Sequence, residues 1–508
     1  MNIIKAPAQE SSTIPSLTNA SPSADRHALV GLLARQREAF LREGPPSLAE
    51  RRKNLRKLRA AILDHRKALE EALTADFGHR STHETDILET LTLIWGIDYL
   101  RKNLRRFMRA ERRHVALPMR FATARVEYQP LGVIGIISPW NYPVTLALMP
   151  LATALASGNR AMIKPSEITP RTSQVVAYLI AEAFPEEQVA VVTGDASVGA
   201  AFAALPFDKI LFTGSTAVGR AVMRAASENL VQVTLELGGK SPVIVDEGQS
   251  LDRVAARIAY GKLANAGQTC IAPDYVLVAE REVRPFVEAY NKAVSTLYPN
   301  GPASRDYTSI INDRHYNRLR ALVDDAIAKG ARVIETGSMP AQAKTRARTL
   351  PPTLVLDVND GMRIMQEEIF GPVLPVVTYR DFDDAIAYVN AHPRPLALYY
   401  FGSTGANRTK VLTRTTSGNV TINGTLIHYA QDDLPFGGIG ASGIGAYHGI
   451  EGFRSLSHAK GVLYQGRWNA SSLLRPPFRW VSNLIIGLML RNRARNRAAS
   501  GAPDLSLR

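Results

Sequence analysis

From about Asp25 to Arg113 the apolar positions recur at helical spacing, as in Leu88, Leu91, Ile94 and Trp95. Ser47-Leu48-Ala49-Glu50 and Ser81-Thr82-His83-Glu84 match the capping box, in which Ser and Glu satisfy free amides reciprocally. From Val115 to Tyr128 the pattern favours extended structure and predicts a hairpin. Then the period changes. Val133–Ile137, Ala161–Ile163, Val189–Val192, Ile210–Phe212 and Pro242–Val245 are short apolar runs, each followed by a helical stretch. Strands apolar on both faces predict a parallel sheet covered on both sides. The alternation resumes from Leu251 to about Asn423, predicting a second α/β domain, and after Gly437 the chain is Gly-rich and then basic.

Composition narrows the class. With 508 residues, 45% of them hydrophobic, the chain can bury the cores of two or three domains. The net charge of +15 is concentrated in Arg51 to Arg59, Arg101 to His114 and Arg491 to Arg497. The first two lie on amphipathic patterns and read as solvated helix faces, so no nucleic-acid partner is expected. A single cysteine excludes an intramolecular disulfide and any CxxC metal site, which fits a reducing, cytoplasmic setting and no metal. Residues 1–24 are rich in Ser, Thr, Ala and Pro, with no apolar run suited to a signal peptide, and read as a disordered tail. No segment reaches the roughly 20 apolar residues that span a bilayer.

Five stretches carry candidate chemistry. Cys270 follows Ala266-Gly267-Gln268-Thr269, a polar stretch at the end of a helical pattern. It is either a small buried hydrophobe or an accessible nucleophile. Glu236, in Leu235-Glu236-Leu237-Gly238-Gly239-Lys240, is a surface residue at a strand end or a desolvated carboxylate suited to general base work. Phe212-Thr213-Gly214-Ser215-Thr216-Ala217-Val218-Gly219 follows a strand and opens a helix, where amides attract phosphate. It lacks GxGxxG, so a plain strand-turn-helix stays open. Pro139-Trp140-Asn141-Tyr142-Pro143 is a rigid loop that offers an amide donor for an oxyanion. Lys164 and Glu167, in Lys164-Pro165-Ser166-Glu167, stand at a strand end where ribose hydroxyls can be held.

In this order, and joined by Glu367-Glu368-Ile369-Phe370-Gly371-Pro372, these stretches resemble the aldehyde dehydrogenase superfamily over about residues 25–465. The Leu434-Pro435-Phe436-Gly437-Gly438 run and Gly445-Ala446-Tyr447-His448-Gly449 resemble class 3 members, and Gln431-Asp432-Asp433-Leu434-Pro435 and Arg475-Pro476-Pro477-Phe478 the bacterial coniferyl aldehyde dehydrogenases. The resemblance implies an α/β fold. A modified Rossmann NAD(P)-binding domain (25–113 and 129–235) would accompany an α/β catalytic domain (236–436). Oligomerisation strands would lie at 114–128 and 437–461, and a basic tail at 462–508. It implies that Cys270 attacks the aldehyde, that Asn141 holds the oxyanion, and that Glu236 activates the water that hydrolyses the thioester. Cofactor contacts would come from Ser138, Trp140, Lys164, Glu167, Gly214, Ser215, Val218, Gly219, Leu237, Gly238, Glu368 and Phe370.

The implied cofactor is NAD, with NADP as the alternative, since Glu167 should repel a 2′-phosphate. The implied assembly is a homodimer. The implied substrate is an aromatic aldehyde of the coniferyl type or a medium- to long-chain aliphatic one, in a pocket formed by loops around Tyr142, Tyr275 and His428. CoA-acylating relatives lack the glutamate, so Glu236 favours hydrolysis; a non-catalytic protein on the same fold is the other rival. Trp480 to Leu490 predicts a short apolar helix followed by Arg491, Arg493, Arg495 and Arg497. It either packs on the body or lies on an anionic membrane surface, which would place the enzyme peripherally on the inner membrane.

Overall fold

The computed structural model describes residues 22–116, 119, 121–337, 346–403, 405–467 and 473–499. The expected N-terminal tail lies outside them over residues 1–21, and the helix Pro22–Glu43 takes up its last three positions.

The capping box at Ser47 forms, with Glu50 N–H donating to Ser47 Oγ at 3.3 Å and Ser47 N–H to Glu50 Oε2 at 2.6 Å. It starts the helix Leu48–Asp64, which buries Leu55, Leu58 and Ile62 on one face. The second box forms only by half. Ser81 Oγ accepts Glu84 N–H at 3.4 Å, but the Glu84 carboxylate turns away to Asn265 and Thr308. There Thr82–Thr85 passes through a π-helical turn, Asp86–Leu91, into the helix Thr92–Phe107.

Two sheets organise the larger unit, Met1–Phe107 with Pro130–Ser457. The six-stranded sheet runs in the order Gly443–Ile444, Gln232–Glu236, Lys209–Thr213, Val133–Ile137, Arg160–Lys164, Val189–Val191. It is parallel except for Gly443–Ile444, which pairs antiparallel with the end of Gln232–Glu236. Val133, Met162, Ile210 and Leu235 join one core from neighbouring strands, as continuous apolar runs in a doubly covered sheet require. The helix Thr145–Ser157 is buried along its whole length. The seven-stranded sheet runs Arg332–Glu335, Thr353–Leu356, Val373–Tyr379, Tyr275–Ala279, Pro242–Val245, Ala397–Phe401, Asn419–Ile422, with only the first pair antiparallel.

The smaller unit, Met108–Gln129 with His458–Arg508, contains a three-stranded sheet of Glu111–Arg113, Ala122–Pro130 and Ser457–Gln465. A hairpin forms here, but its first strand is Glu111–Arg113, in the stretch expected to be helical, and precedes Val115–Tyr128; Glu111 lies opposite Val126 and Arg113 opposite Ala124. Its partner strand begins at Ser457 instead of occupying 437–461. The Gly-rich stretch before it makes turns and lends Gly443–Ile444 to the six-stranded sheet. The C-terminal helix is Trp480–Ala499, longer than the expected Trp480–Leu490, because arginine and alanine are good helix formers and carry it on. No described helix is long and apolar enough to cross a membrane.

Candidate active site

Glu236 ends the strand Gln232–Glu236, opposite Thr213 on one side and Gly443 on the other. The chain then leaves the sheet through Leu237-Gly238-Gly239. A Cβ on Gly238 would come within 2.2 Å of Glu368 Oε2, so glycine lets this carboxylate lie against the strand end. The Glu236 carboxylate is 2% exposed, and neither oxygen has a hydrogen-bond partner among the described residues. Burial pushes its carboxyl well above the ordinary carboxylate range.

Cys270 is reached through a sharply turned segment. Asn265 and Ala266 take φ of 52° and 52°, and Gly267 takes 76°. A Cβ on Gly267 would lie 2.3 Å from Gly371 O. Such left-handed backbone in Asn and Ala needs support. Glu84 accepts Asn265 N–H at 3.2 Å and Thr308 Oγ1–H at 2.7 Å. Gln268 Nε2 donates to Asn265 O and Ser309 O, while Gln268 Oε1 accepts Ile311 N–H. The Cys270 side chain is half-buried. Burial, with Glu368 and Glu236 nearby, pushes its thiol up to about 12.

Cys270 and Glu236 line one cavity of about 230 Å³. Its walls are otherwise Thr213, Leu237, Thr269 and a largely apolar set that includes Leu88, Trp95, Tyr142, Leu426, Tyr429 and Phe436. Among the described residues Glu236 is the one acidic side chain on this lining, and no Lys, Arg or His joins it. Tyr142 is on the wall as expected. The loop around His428 is on the wall as well, through Leu426, Ile427, Tyr429 and Ala430, while His428 itself bonds Thr421 Oγ1 and stacks on Phe436; Tyr275 is instead buried in its strand edge-on to Tyr388. Asn141 is also off the lining, but its Nδ2 donates to Gln268 O at 3.1 Å, two residues before Cys270.

The remaining expected residues gather on loops leaving the six-stranded sheet and on the loop entering Val373–Tyr379. Ser215 caps the helix Thr216–Ser227, its Oγ accepting Val218 N–H at 3.4 Å, and Val218 stands exposed in the first turn. Gly214 N–H donates to Glu236 O at 3.0 Å, tying this turn to the candidate base. A Cβ on Gly219 would meet Leu237 Cδ2 at 2.6 Å, so the helix start sits close on Leu237. Ser138 N–H donates to Lys164 O at 3.1 Å, joining two strand ends, and Ser138 Oγ has no partner among the described residues. Lys164 Nζ lies 3.3 Å from Glu167 Oε2 and 2.6 Å from Pro165 O; burial lowers its pKa. Trp140 sits edge-on to Phe370 at 5.3 Å and 4.9 Å from the His315 ring. Phe370 takes a φ of 53°. Glu368 accepts Gly239 N–H, and burial with Asp274 nearby pushes its carboxyl up to about 8.

This donor set fits a dinucleotide. Amides stand at a capped helix start, glycines bring backbone close, and Ser138 Oγ and Glu368 Oε1 are buried without partners among the described residues. Sequence reasoning missed Arg80 and Glu89, buried charges flanked by helical sequence, and misread the half-buried Glu84. Glu84 carried a signal, a Ser-x-x-Glu pattern, but that pattern points to a surface cap.

The aldehyde dehydrogenase family model matches residues 19–462. The chain is 51% identical over 464 residues to the "Probable coniferyl aldehyde dehydrogenase" of Pseudomonas aeruginosa, covering 91% of this chain and 96% of that one. It superposes on a solved structure titled "Substrate bound state of Staphylococcus Aureus AldH" with a TM-score of 0.85 and 36% identity, covering 90% of this chain and 99% of that one. A Mycobacterium tuberculosis aldehyde dehydrogenase complexed with NAD+ matches with a TM-score of 0.78 and 28% identity, covering 87% and 91%. A buried carboxylate and a lone thiol on one apolar cavity, beside a dinucleotide-type sheet edge, agree with that kinship: the chain belongs to the aldehyde dehydrogenase family and is an NAD(P)-dependent aldehyde-oxidising enzyme.

Proposed function

We propose that the chain oxidises an apolar aldehyde through a thioester on Cys270, hydrolysed by water that Glu236 activates. The observation that carries this is the shared cavity wall of Cys270 and Glu236, with both carboxylate oxygens free to take a proton. The Cys270 thiol is raised, so it needs a proton acceptor, and ionised Glu236 is the acceptor on the same wall. The sulfur adds to the carbonyl carbon, and the oxyanion is stabilised by Asn141 Nδ2 and backbone N–H near Cys270. NAD(P)+ supplies the hydride acceptor when bound at the residues described above. Loss of hydride leaves an acyl thioester on Cys270. Glu236 passes the thiol proton to solvent and, ionised again, takes a proton from water; the hydroxide adds to the acyl carbon, and the Cys270–acyl bond breaks to release the carboxylate. The apolar walls exclude bulk water. Pre-steady-state NADH formation tests the division of labour. Glu236→Gln should keep a slower, partial burst of at most about one NADH per site, the thiol then losing its proton to water, and should lose steady-state turnover. Steady-state turnover at the parent rate would overturn it.

The apolar lining favours coniferyl-type or medium- to long-chain aliphatic aldehydes, and a panel of both against either cofactor ranks them. Glu167 beside Lys164 favours NAD over NADP, because a 2′-phosphate would meet a carboxylate. A homodimer would satisfy the exposed edge strand Ser457–Gln465 by pairing it with a second copy. A monomer in light scattering at micromolar concentration would refute that. The helix Trp480–Ala499 carries exposed Trp480, Leu484, Ile486, Leu488 and Leu490 ahead of four arginines, a composition suited to reversible contact with an anionic membrane. Flotation with anionic liposomes should fall when the chain is ended at Arg475; equal flotation rules the contact out.

A further inference from the structure

The π-helical turn Asp86–Leu91 sends neighbouring side chains to different tasks. Ile87, Leu88 and Leu91 line the cavity, whereas Glu89 is fully buried in the protein. Glu89 Oε2 accepts the N–H groups of Val144 at 3.0 Å and Thr145 at 2.8 Å, and Glu89 O accepts Thr145 Oγ1–H at 3.0 Å. The helix Thr145–Ser157 has no side-chain cap from its own N-cap residue, so a carboxylate from a distant turn closes its start. Glu89 Oε1 faces Arg80 Nη1 at 3.3 Å. Arg80 is 1% exposed and lies over the rings of Phe77 and Tyr142 at 4.8 and 5.0 Å. Its Nη1 donates to Asn141 O at 2.9 Å, and Asn265 Nδ2 donates to the same oxygen at 3.1 Å. The Asn141 peptide is therefore gripped from two sides while its Nδ2 is held on Gln268 O.

Burying two charges carries a large desolvation penalty, and well-packed apolar residues of equal volume hold a fold as well or better. A buried pair that contacts the loop carrying Asn141 on both flanks points to geometry as its use. We propose that Arg80 and Glu89 are positioning residues for the reaction: together they aim the Asn141 amide at the oxyanion, Arg80 by fixing its peptide and Glu89 by anchoring the following helix. This rests on the reading of Asn141 as the oxyanion donor.

The test is a mutant cycle read as the single-turnover rate of NADH formation, with the count of reactive Cys270 thiols and the thermal midpoint as folding controls. Asn141→Ala should slow that rate by about 10²–10³-fold. Arg80→Lys keeps the charge but loses the planar guanidinium that lies over Phe77 and Tyr142 and holds Nη1 on Asn141 O, and should slow it by about 10–100-fold with one reactive thiol per chain retained. Combined with Asn141→Ala, Arg80→Lys should slow the reaction no further than about twofold, since its effect runs through an amide already removed. The pair Arg80→Met with Glu89→Leu removes both charges together but leaves the Val144 and Thr145 N–H groups without their acceptor, so it should melt lower than the parent, yet, assayed well below its midpoint, still turn over slowly, which separates positioning from folding. If Asn141→Ala reacts at the parent rate, the reading of Asn141 fails. If Asn141→Ala is slow but Arg80→Lys is not, or if Arg80→Lys exerts its full effect in both backgrounds, the positioning role is overturned. Should Arg80→Lys misfold, the Met–Leu pair decides: parent-like rates in a folded protein overturn the role.

Discussion

Replacing Glu236 by Gln should stabilise the protein while stopping turnover, and the gain should depend on pH. The folded carboxyl is raised well above the ordinary range by burial, and neither oxygen is bonded among the described residues. Unfolded, it titrates near ~4.3. Between that value and the raised one the folded chain holds one more proton than the unfolded chain. Stability therefore falls as pH rises, by about 1.4 kcal/mol per pH unit. Gln cannot titrate, so the variant escapes this loss. Parent and variant should unfold alike near pH ~4, and above it the variant's lead should grow with pH by up to about 1.4 kcal/mol per unit. Urea unfolding of both proteins at several pH values reads the difference, in which all shared groups cancel. A difference that does not change with pH would refute the reasoning.

Cys270→Ser should abolish dehydrogenase turnover while NAD binding, followed by fluorescence quenching, persists; retention of most of the rate would sink the nucleophile. With its thiol raised to about 12, Cys270 in the cofactor-free enzyme should be alkylated about tenfold faster per pH unit from 7 to 10. A plateau near neutrality would show an activated thiolate instead. Gly238→Ala places a Cβ within 2.2 Å of the Glu368 carboxylate, so it should raise the KM for NAD by about tenfold or more; an unchanged KM would separate Glu368 from the cofactor. Glu167→Gln should shift the ratio of kcat/KM values toward NADP by about tenfold, read from initial rates with each cofactor.

The parallel sheets were legible because their strands are apolar on both faces. Val133–Ile137 is a strand with the bounds read from its hydrophobic run, and Ala161–Ile163 is the centre of Arg160–Lys164. The site motifs were legible for a related reason: they sit where apolar runs give way to glycine, which is where strands end. Arg80 and Glu89 were not legible. Charged residues in helical sequence look like solvated positions, and only the fold reveals that they face each other in the interior. The pairing of Gly443–Ile444 with Glu236 was hidden too, since two residues among glycines carry no strand periodicity.

That last pairing bears on how the chain folds during synthesis. The strand that ends in Glu236 gains its outer neighbour only when Gly443 and Ile444 have been made, with Lys209 likewise waiting for Ser455 O and Asn159 for Leu456 O. At ~5–20 residues per second, ribosomes expose an unfinished sheet edge for roughly ten seconds or more. During that interval the Glu236 strand is an open template for mispairing. Residues 443–456 thus act as a latch on a sheet begun long before.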